Sequence, residues 1–283
     1  MKNITLKNNM EIPRLGMGTW YLGEKASTCI QELEALREGI DLGITLIDTA
    51  ELYGYGASEE LIATAIKKYD RESLFIVDKV MPQNATRNKI FEHLNASLER
   101  LDVDYIDLYL LHWPTGNDLQ EVVDCFEEMV KSKKIKSWGV SNFDTDDMKE
   151  LLKCNNGNNC VVNQVLYNLG SRGIEYDLMP YLHKNNIALM AYSPLTQAGN
   201  YAKGILKNET LVTIAKKYNI KPIQLLLTFV MQNENIIAIP RSGKAQHIKE
   251  LQEAANIKLK QEDYTALDKE FPAPDHKTEL HIE

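Results

Sequence analysis

Leu46-Ile47-Asp48-Thr49-Ala50-Glu51-Leu52-Tyr53-Gly54 is an apolar run that stops at a carboxylate and then turns. Two other stretches end in the same way, Phe75-Ile76-Val77-Asp78-Lys79-Val80 and Leu108-Tyr109-Leu110-Leu111-His112-Trp113-Pro114. Each is too short for a helix and too continuously apolar for a strand with one wet face, so each reads as a strand buried on both sides of a parallel sheet. Working outward, the same kind of run recurs at 15–19, 44–48, 74–80, 105–112, 135–140, 161–165, 187–192 and 236–240. Amphipathic stretches separate them, at 28–42, 58–69, 87–101, 119–132, 145–153, 176–185, 210–218 with 222–232, and 246–255. Gly43 is placed to end the first helix, and Pro222 suits the first turn of a new one. Eight strand and helix units with no Gly/Ser linker predict an α/β fold, a single (β/α)8 TIM barrel. It should open with an N-terminal β-hairpin around Asn8-Asn9 and span 1–283 as one domain. A doubly wound sheet is the alternative. It would carry a dinucleotide on a G-x-G-x-x-G turn, and Gly16-Met17-Gly18-Thr19-Trp20-Tyr21 offers only the first two glycines.

In a barrel all strands point one way, so Asp48, Lys79 and His112 close three neighbouring strands on one face, with Tyr53 in the adjoining loop. Taken singly, each has a structural explanation: a loop cap, a rim aromatic, a core histidine. Lys79 resists this, because a charge at the end of an apolar strand is costly unless paired. Taken together they form a proton-transfer site. A free phenol ionises near pH ~10, and a neighbouring ammonium is expected to lower that value. Asp48 would hold Lys79, His112 would orient and polarise a carbonyl oxygen, and Tyr53 would protonate it as a hydride arrives from elsewhere.

Composition narrows the partners. With 32 basic and 40 acidic residues the formal net charge is −8, which disfavours a nucleic-acid or anionic-lipid surface and leaves room for a local phosphate pocket. No stretch approaches the ~20 apolar residues of a membrane span, and the start has no signal-peptide pattern, so a cytoplasmic protein is expected. The four cysteines, Cys29, Cys125, Cys154 and Cys160, lack CxxC spacing and read as free thiols. No histidine pair stands at ligand spacing, and no metal is expected.

The chain resembles the aldo-keto reductases from the hairpin to about Phe271. The stretches that carry the resemblance are Leu15-Gly16-Met17-Gly18-Thr19-Trp20, Asp48-Thr49-Ala50 through Tyr53-Gly54, Lys79, Leu111-His112-Trp113-Pro114, Gly139-Val140-Ser141-Asn142-Phe143, Asn163-Gln164-Val165, Ala191-Tyr192-Ser193-Pro194-Leu195 and Ile239-Pro240-Arg241-Ser242. The resemblance implies a monomeric barrel enzyme that reduces aldehydes and ketones with NADPH, NADH being the alternative cofactor, and that uses Asp48, Tyr53, Lys79 and His112 catalytically. It assigns Ser141, Asn142 and Gln164 to the nicotinamide carboxamide and Tyr192 to stacking under the ring. Gly18, Thr19, Trp20, Ser193, Leu195 and Ile239 join the cofactor cradle. It also implies that the segment 195–206, with Gly199 and Gly204, folds over the pyrophosphate, and that Arg241 and Ser242 bind the 2′-phosphate. His247 stands where a second arginine is common, Glu250 lies near the adenine, and Leu251 replaces a frequent asparagine. His247 and Leu251 resemble a bacterial branch that includes methylglyoxal reductases. Trp20 and Trp113 should line the substrate pocket, which suits a small flat carbonyl compound. The polar tail from Phe271 to Glu283 should leave the mouth open. Two other readings are a nicotinamide-binding regulatory subunit, for which the chain has no extra segment, and a metal-dependent barrel hydrolase.

Overall fold

Strands as short as three residues suffice in this barrel, because each barrel strand is paired on both sides. The computed structural model describes residues 2–196 and 204–283. Strands β1 (Asn3–Thr5) and β2 (Glu11–Pro13) form the expected antiparallel hairpin, with Asn9 in a left-handed conformation at its turn. The remaining strands are β3 (Gly16–Gly18), β4 (Leu46–Asp48), β5 (Phe75–Val80), β6 (Ile106–Leu111), β7 (Ile135–Ser141), β8 (Val162–Leu166), β9 (Ala188–Tyr192) and β10 (Ile236–Ala238). They pair in parallel, each with the next in sequence. Between first and last, the Ala238 N–H donates to the Arg14 carbonyl at 2.8 Å and the Gly18 N–H to the Pro240 carbonyl at 3.0 Å. Those bonds close the sheet into a barrel and leave it without an edge.

The period of two along each strand splits the core into two layers. Leu46, Phe75, Val77, Leu108, Leu110, Val162, Met190 and Ile237 fill the barrel interior. Leu6 and Ile12 of the hairpin join them, so the hairpin plugs the amino-terminal end. Gly16 is needed here, since a Cβ would lie 2.1 Å from the Leu46 side chain. The alternate residues, among them Ile47, Ile76, Tyr109, Leu111, Trp138 and Val140, face outward onto the helices.

The helices run at Ala26–Asp41, Ala57–Ile66, Ile90–Leu101, Leu119–Lys131, Thr145–Leu151, Leu178–Lys184, Glu209–Lys217 with Pro222–Met231, and Ala245–Ala254, close to the sequence-based ranges. Gly43 has φ +83° just past the first helix, and Pro222 lies in the first turn of its own. A further helix, Gln261–Glu270, was not expected. Its apolar stripe is reduced to little more than Tyr264, stacked on Phe229 at 5.3 Å, and the buried Leu267. No helix among the described residues is long and apolar enough to cross a membrane, and the four cysteines are free.

Candidate active site

The carboxyl ends of β4, β5 and β6 bring the expected residues together. Lys79 is fully buried near the end of β5. Its Nζ donates to Asp48 Oδ1 at 2.7 Å, to the Thr49 carbonyl at 2.7 Å and to the Tyr53 hydroxyl at 3.2 Å. These are three acceptors for the three protons of an ammonium, so the buried cation is fully satisfied. Burial pulls its value down; Asp48 and Tyr53 outweigh that and hold the lysine above its usual value. Asp48 accepts a second bond on Oδ2, from Gln164 Nε2 at 2.7 Å, which ties the β4 carboxylate across the barrel to β8.

Tyr53 reaches this ammonium because the chain turns sharply after it. The short helix Tyr53–Gly56 contains left-handed residues, with φ 58° at Gly54, 52° at Tyr55 and 100° at Gly56. The phenol value expected from the sequence needs correction. Burial pushes Tyr53 above its ordinary range, and Lys79 pulls it down without winning. Sequence shows the partner and cannot show the depth. The phenol therefore keeps its proton at neutral pH, the state an acid must start from.

His112 follows β6 and packs edge-on against Tyr53, 5.8 Å between ring centroids. Burial, reinforced by Lys79, holds its imidazole down at about 2, so it is neutral, with one nitrogen free to donate. Neither ring nitrogen has a partner among the described residues, and Nδ1 is buried. Trp113 stacks on the imidazole at 3.8 Å, and Trp20 lies 6.3 Å from the Tyr53 ring.

The same pocket is lined by Gly18, Thr19, Ser141, Asn142, Gln164, Tyr192, Ser193 and Ile239. Thr19 is buried and donates to the Asp48 carbonyl at 2.8 Å. Ser141 donates to the Gln164 carbonyl at 2.8 Å, and Asn142 donates to the His112 carbonyl at 3.0 Å while accepting from the Tyr192 hydroxyl at 2.9 Å. Gln164 Oε1 accepts nothing among the described residues. Leu195 is half-buried against the hydrophobic core and is not among the residues that line this pocket. Gly199, at the centre of the expected pyrophosphate loop, lies outside the described residues.

Arg241 is exposed, has no acidic partner among the described residues and sits 5.9 Å above the Tyr21 ring. The Ser242 hydroxyl accepts from the Lys244 N–H at 3.2 Å, and His247 is exposed one turn into the helix Ala245–Ala254. Arg241, Lys244 and His247 thus stand around the start of a helix that no side chain caps. Glu250 is otherwise engaged, since its Oε1 accepts from Lys221 at 2.6 Å and from Gln246 at 3.1 Å.

Three contributors went unseen in the sequence. The Thr49 carbonyl holds Lys79, and a backbone group leaves no sequence signal. Leu52 lines the pocket. Glu283 does too, which corrects the expectation of an open mouth: its side chain accepts from the Ser193 hydroxyl, and its N–H donates to the Tyr192 hydroxyl at 3.3 Å. The tail is drawn there by Lys277, which bridges Asp144 at 2.5 Å and Asp177 at 2.9 Å, and by His281, 2.8 Å from the Ser171 hydroxyl.

A closed parallel barrel thus carries a phenol, an ammonium, a carboxylate and a neutral imidazole together at its carboxyl face. Residues 14–270 match the model of the Aldo/keto reductase family, and the chain belongs to that family of oxidoreductases. It is similar to a methylglyoxal reductase of Escherichia coli strain K12, YeaE, with 44% identity over 281 residues that cover 99% of each chain. A glyoxal reductase of Bacillus subtilis strain 168 is 33% identical, with 94% of this chain and 91% of the relative covered. Among solved structures, an aldo-keto reductase from Klebsiella pneumoniae in complex with NADPH superimposes with a TM-score of 0.96 at 41% identity, covering 100% of this chain and 99% of the other.

Proposed function

We propose that the protein reduces small reactive aldehydes and ketones, of which methylglyoxal is the model, to alcohols at the expense of NADPH. The observation that carries this reading is the single ammonium shared by Asp48 and the Tyr53 hydroxyl, beside a neutral imidazole. Tyr53 donates its proton to the carbonyl oxygen and Lys79 stabilises the tyrosinate left behind. The neutral His112 donates a hydrogen bond to the same oxygen and fixes its direction. Asp48 keeps Lys79 protonated and in place. Trp20, Trp113 and Leu52 wall the pocket with apolar surface and keep water from the reacting centre.

The residues present fit the cofactor. Gln164 brings an unused acceptor and Asn142 an amide, which is what a carboxamide needs. Tyr192 offers an aromatic face, and Arg241, Ser242, Lys244 and His247 offer an anion site without a competing carboxylate on the arginine. When bound, NADPH supplies the hydride. Arg241 and His247 bind its 2′-phosphate, and the pairing of Glu250 with Lys221 makes that glutamate a weaker candidate for adenine contact.

Purified protein given NADPH and a panel of short aldehydes is expected to oxidise the cofactor. Arg241→Ala is expected to raise KM for NADPH by about 10-fold or more with little change for NADH, as loss of one charge-assisted contact implies. Absence of turnover across the panel would sink the function. Equal losses with both cofactors would overturn the phosphate assignment.

A further inference from the structure

Asp78, one residue before the ammonium, is a fully buried carboxyl with half of its bonding unaccounted for. Its Oδ1 accepts the Lys79 backbone N–H at 2.8 Å, whereas Oδ2 is buried with no donor in reach among the described residues. Facing it is Glu59 of the helix Ala57–Ile66, also fully buried and within hydrogen-bonding range of the Asp78 carboxyl. Glu59 is held by Arg100 of the helix Ile90–Leu101, through Nε at 2.6 Å and Nη2 at 3.2 Å. The Arg100 fork is thus spent on Glu59 and on the Ser97 hydroxyl, 3.2 Å away. The other groups facing Asp78 are Glu51, from the loop after β4, and Tyr109 of β6, whose hydroxyl is buried without a partner among the described residues. Glu51 has its own partners in His93 at 2.6 Å, Asn84 at 2.9 Å and the Met81 N–H at 2.7 Å.

Two ionised carboxylates in contact and out of water repel strongly, and each would lack a donor on the facing side. We propose that Asp78 and Glu59 share one proton, carried on Asp78 Oδ2 and donated to Glu59, and that this neutral carboxyl is a positioning residue for Lys79. Arg100 decides which partner keeps the charge: Glu59 is the ionised member because the guanidinium is already on it. The proton supplies the donor that Oδ2 otherwise lacks. Burial, with Glu59 next, acts in the same direction, pushing the Asp78 carboxyl well up.

The consequence for the site is electrostatic. With Asp78 neutral, the charges behind β5 cancel as Glu59 with Arg100, and Lys79 is balanced by Asp48 alone. An ionised Asp78 would set a second negative charge beside Lys79 and strengthen the hold of Tyr53 on its proton. Asp78 Oδ1 meanwhile fixes the backbone from which the lysine projects. This role rests on the reading of Tyr53 as the acid; the shared proton does not.

The test is infrared spectroscopy of the full chain in deuterated buffer at about pH 8, with unfolding and kinetics alongside. The wild type is expected to show a protonated-carboxyl C=O stretch that is absent from Asp78→Asn. Because the folded state holds a proton that the unfolded chain releases, wild-type stability falls as pH rises. Asp78→Asn, whose amide makes the same two contacts, should lose that slope, so the gap in Tm widens in its favour between about pH 6 and about pH 9. In turnover, Asp78→Leu should lose about 10-fold or more in kcat with KM little changed, and Asp78→Asn should restore most of it. No carboxylic-acid band in the wild type overturns the shared proton, whether or not the variants fold. A band with Asp78→Asn as impaired as Asp78→Leu overturns the positioning role. An inactive wild type that shows the band removes the function and leaves the proton.

Discussion

Lys79 carries three hydrogen bonds at full burial, and the energy of that arrangement is visible only when one partner is taken away. Lys79→Met keeps the volume of the stem and leaves Asp48 buried with Gln164 as its sole side-chain donor. The expected cost is about 3–5 kcal/mol of folding free energy, the range for removing one member of a buried ion pair. Denaturant unfolding measures it, and a loss under about 1 kcal/mol, the range of an exposed pair, would show that Asp48 is solvated instead. Asp48, Lys79 and His112 were legible in the sequence because they close three neighbouring strands together; singly, only Lys79 lacked a structural explanation. What was not legible was the balance at Tyr53. The sign of that balance depends on how far the phenol is buried, and the rings packed against it, Trp20 and His112, are distant in sequence.

At the scale of the element, the turn Tyr53–Gly56 aims the acid. Gly56 has φ 100°, and a Cβ there would lie 2.5 Å from Arg100 Cδ. Gly56→Ala therefore meets both strained backbone and the side chain that anchors Glu59. A loss of about 1–3 kcal/mol in stability is expected, with a fall in kcat because Tyr53 is the first residue of the turn. An unchanged melting midpoint would mean the turn relaxes freely. Strands and most helices were legible from apolar runs and amphipathic spacing, since buried parallel strands are continuous and the helices between them are amphipathic. The helix Gln261–Glu270 was not, because Leu267 and Tyr264 are too few to set a period; its position is fixed by the stack on Phe229.

The whole molecule places chemistry and recognition at different radii of one face. Asp48, Tyr53, Lys79 and His112 sit at the carboxyl ends of β4 to β6, the amide-bearing residues at β7 and β8, and Arg241, Ser242 and His247 beyond β10, so the proposed cofactor would lie along the barrel order from Tyr53 to the rim. The tail completes the mouth through Glu283. Sequence hid that contact, because Lys277 finds Asp144 and Asp177 only once the fold has brought three distant loops together. In the proposed reaction one phenol supplies the proton, and everything around it serves that step. Single-turnover reduction of methylglyoxal by Tyr53→Phe, with NADPH affinity measured in parallel, tests it most directly. The expected result is a rate lower by about 10²–10⁴-fold, the contribution of a positioned general acid, with cofactor affinity unchanged. A rate within a few-fold of wild type at equal cofactor occupancy would contradict it.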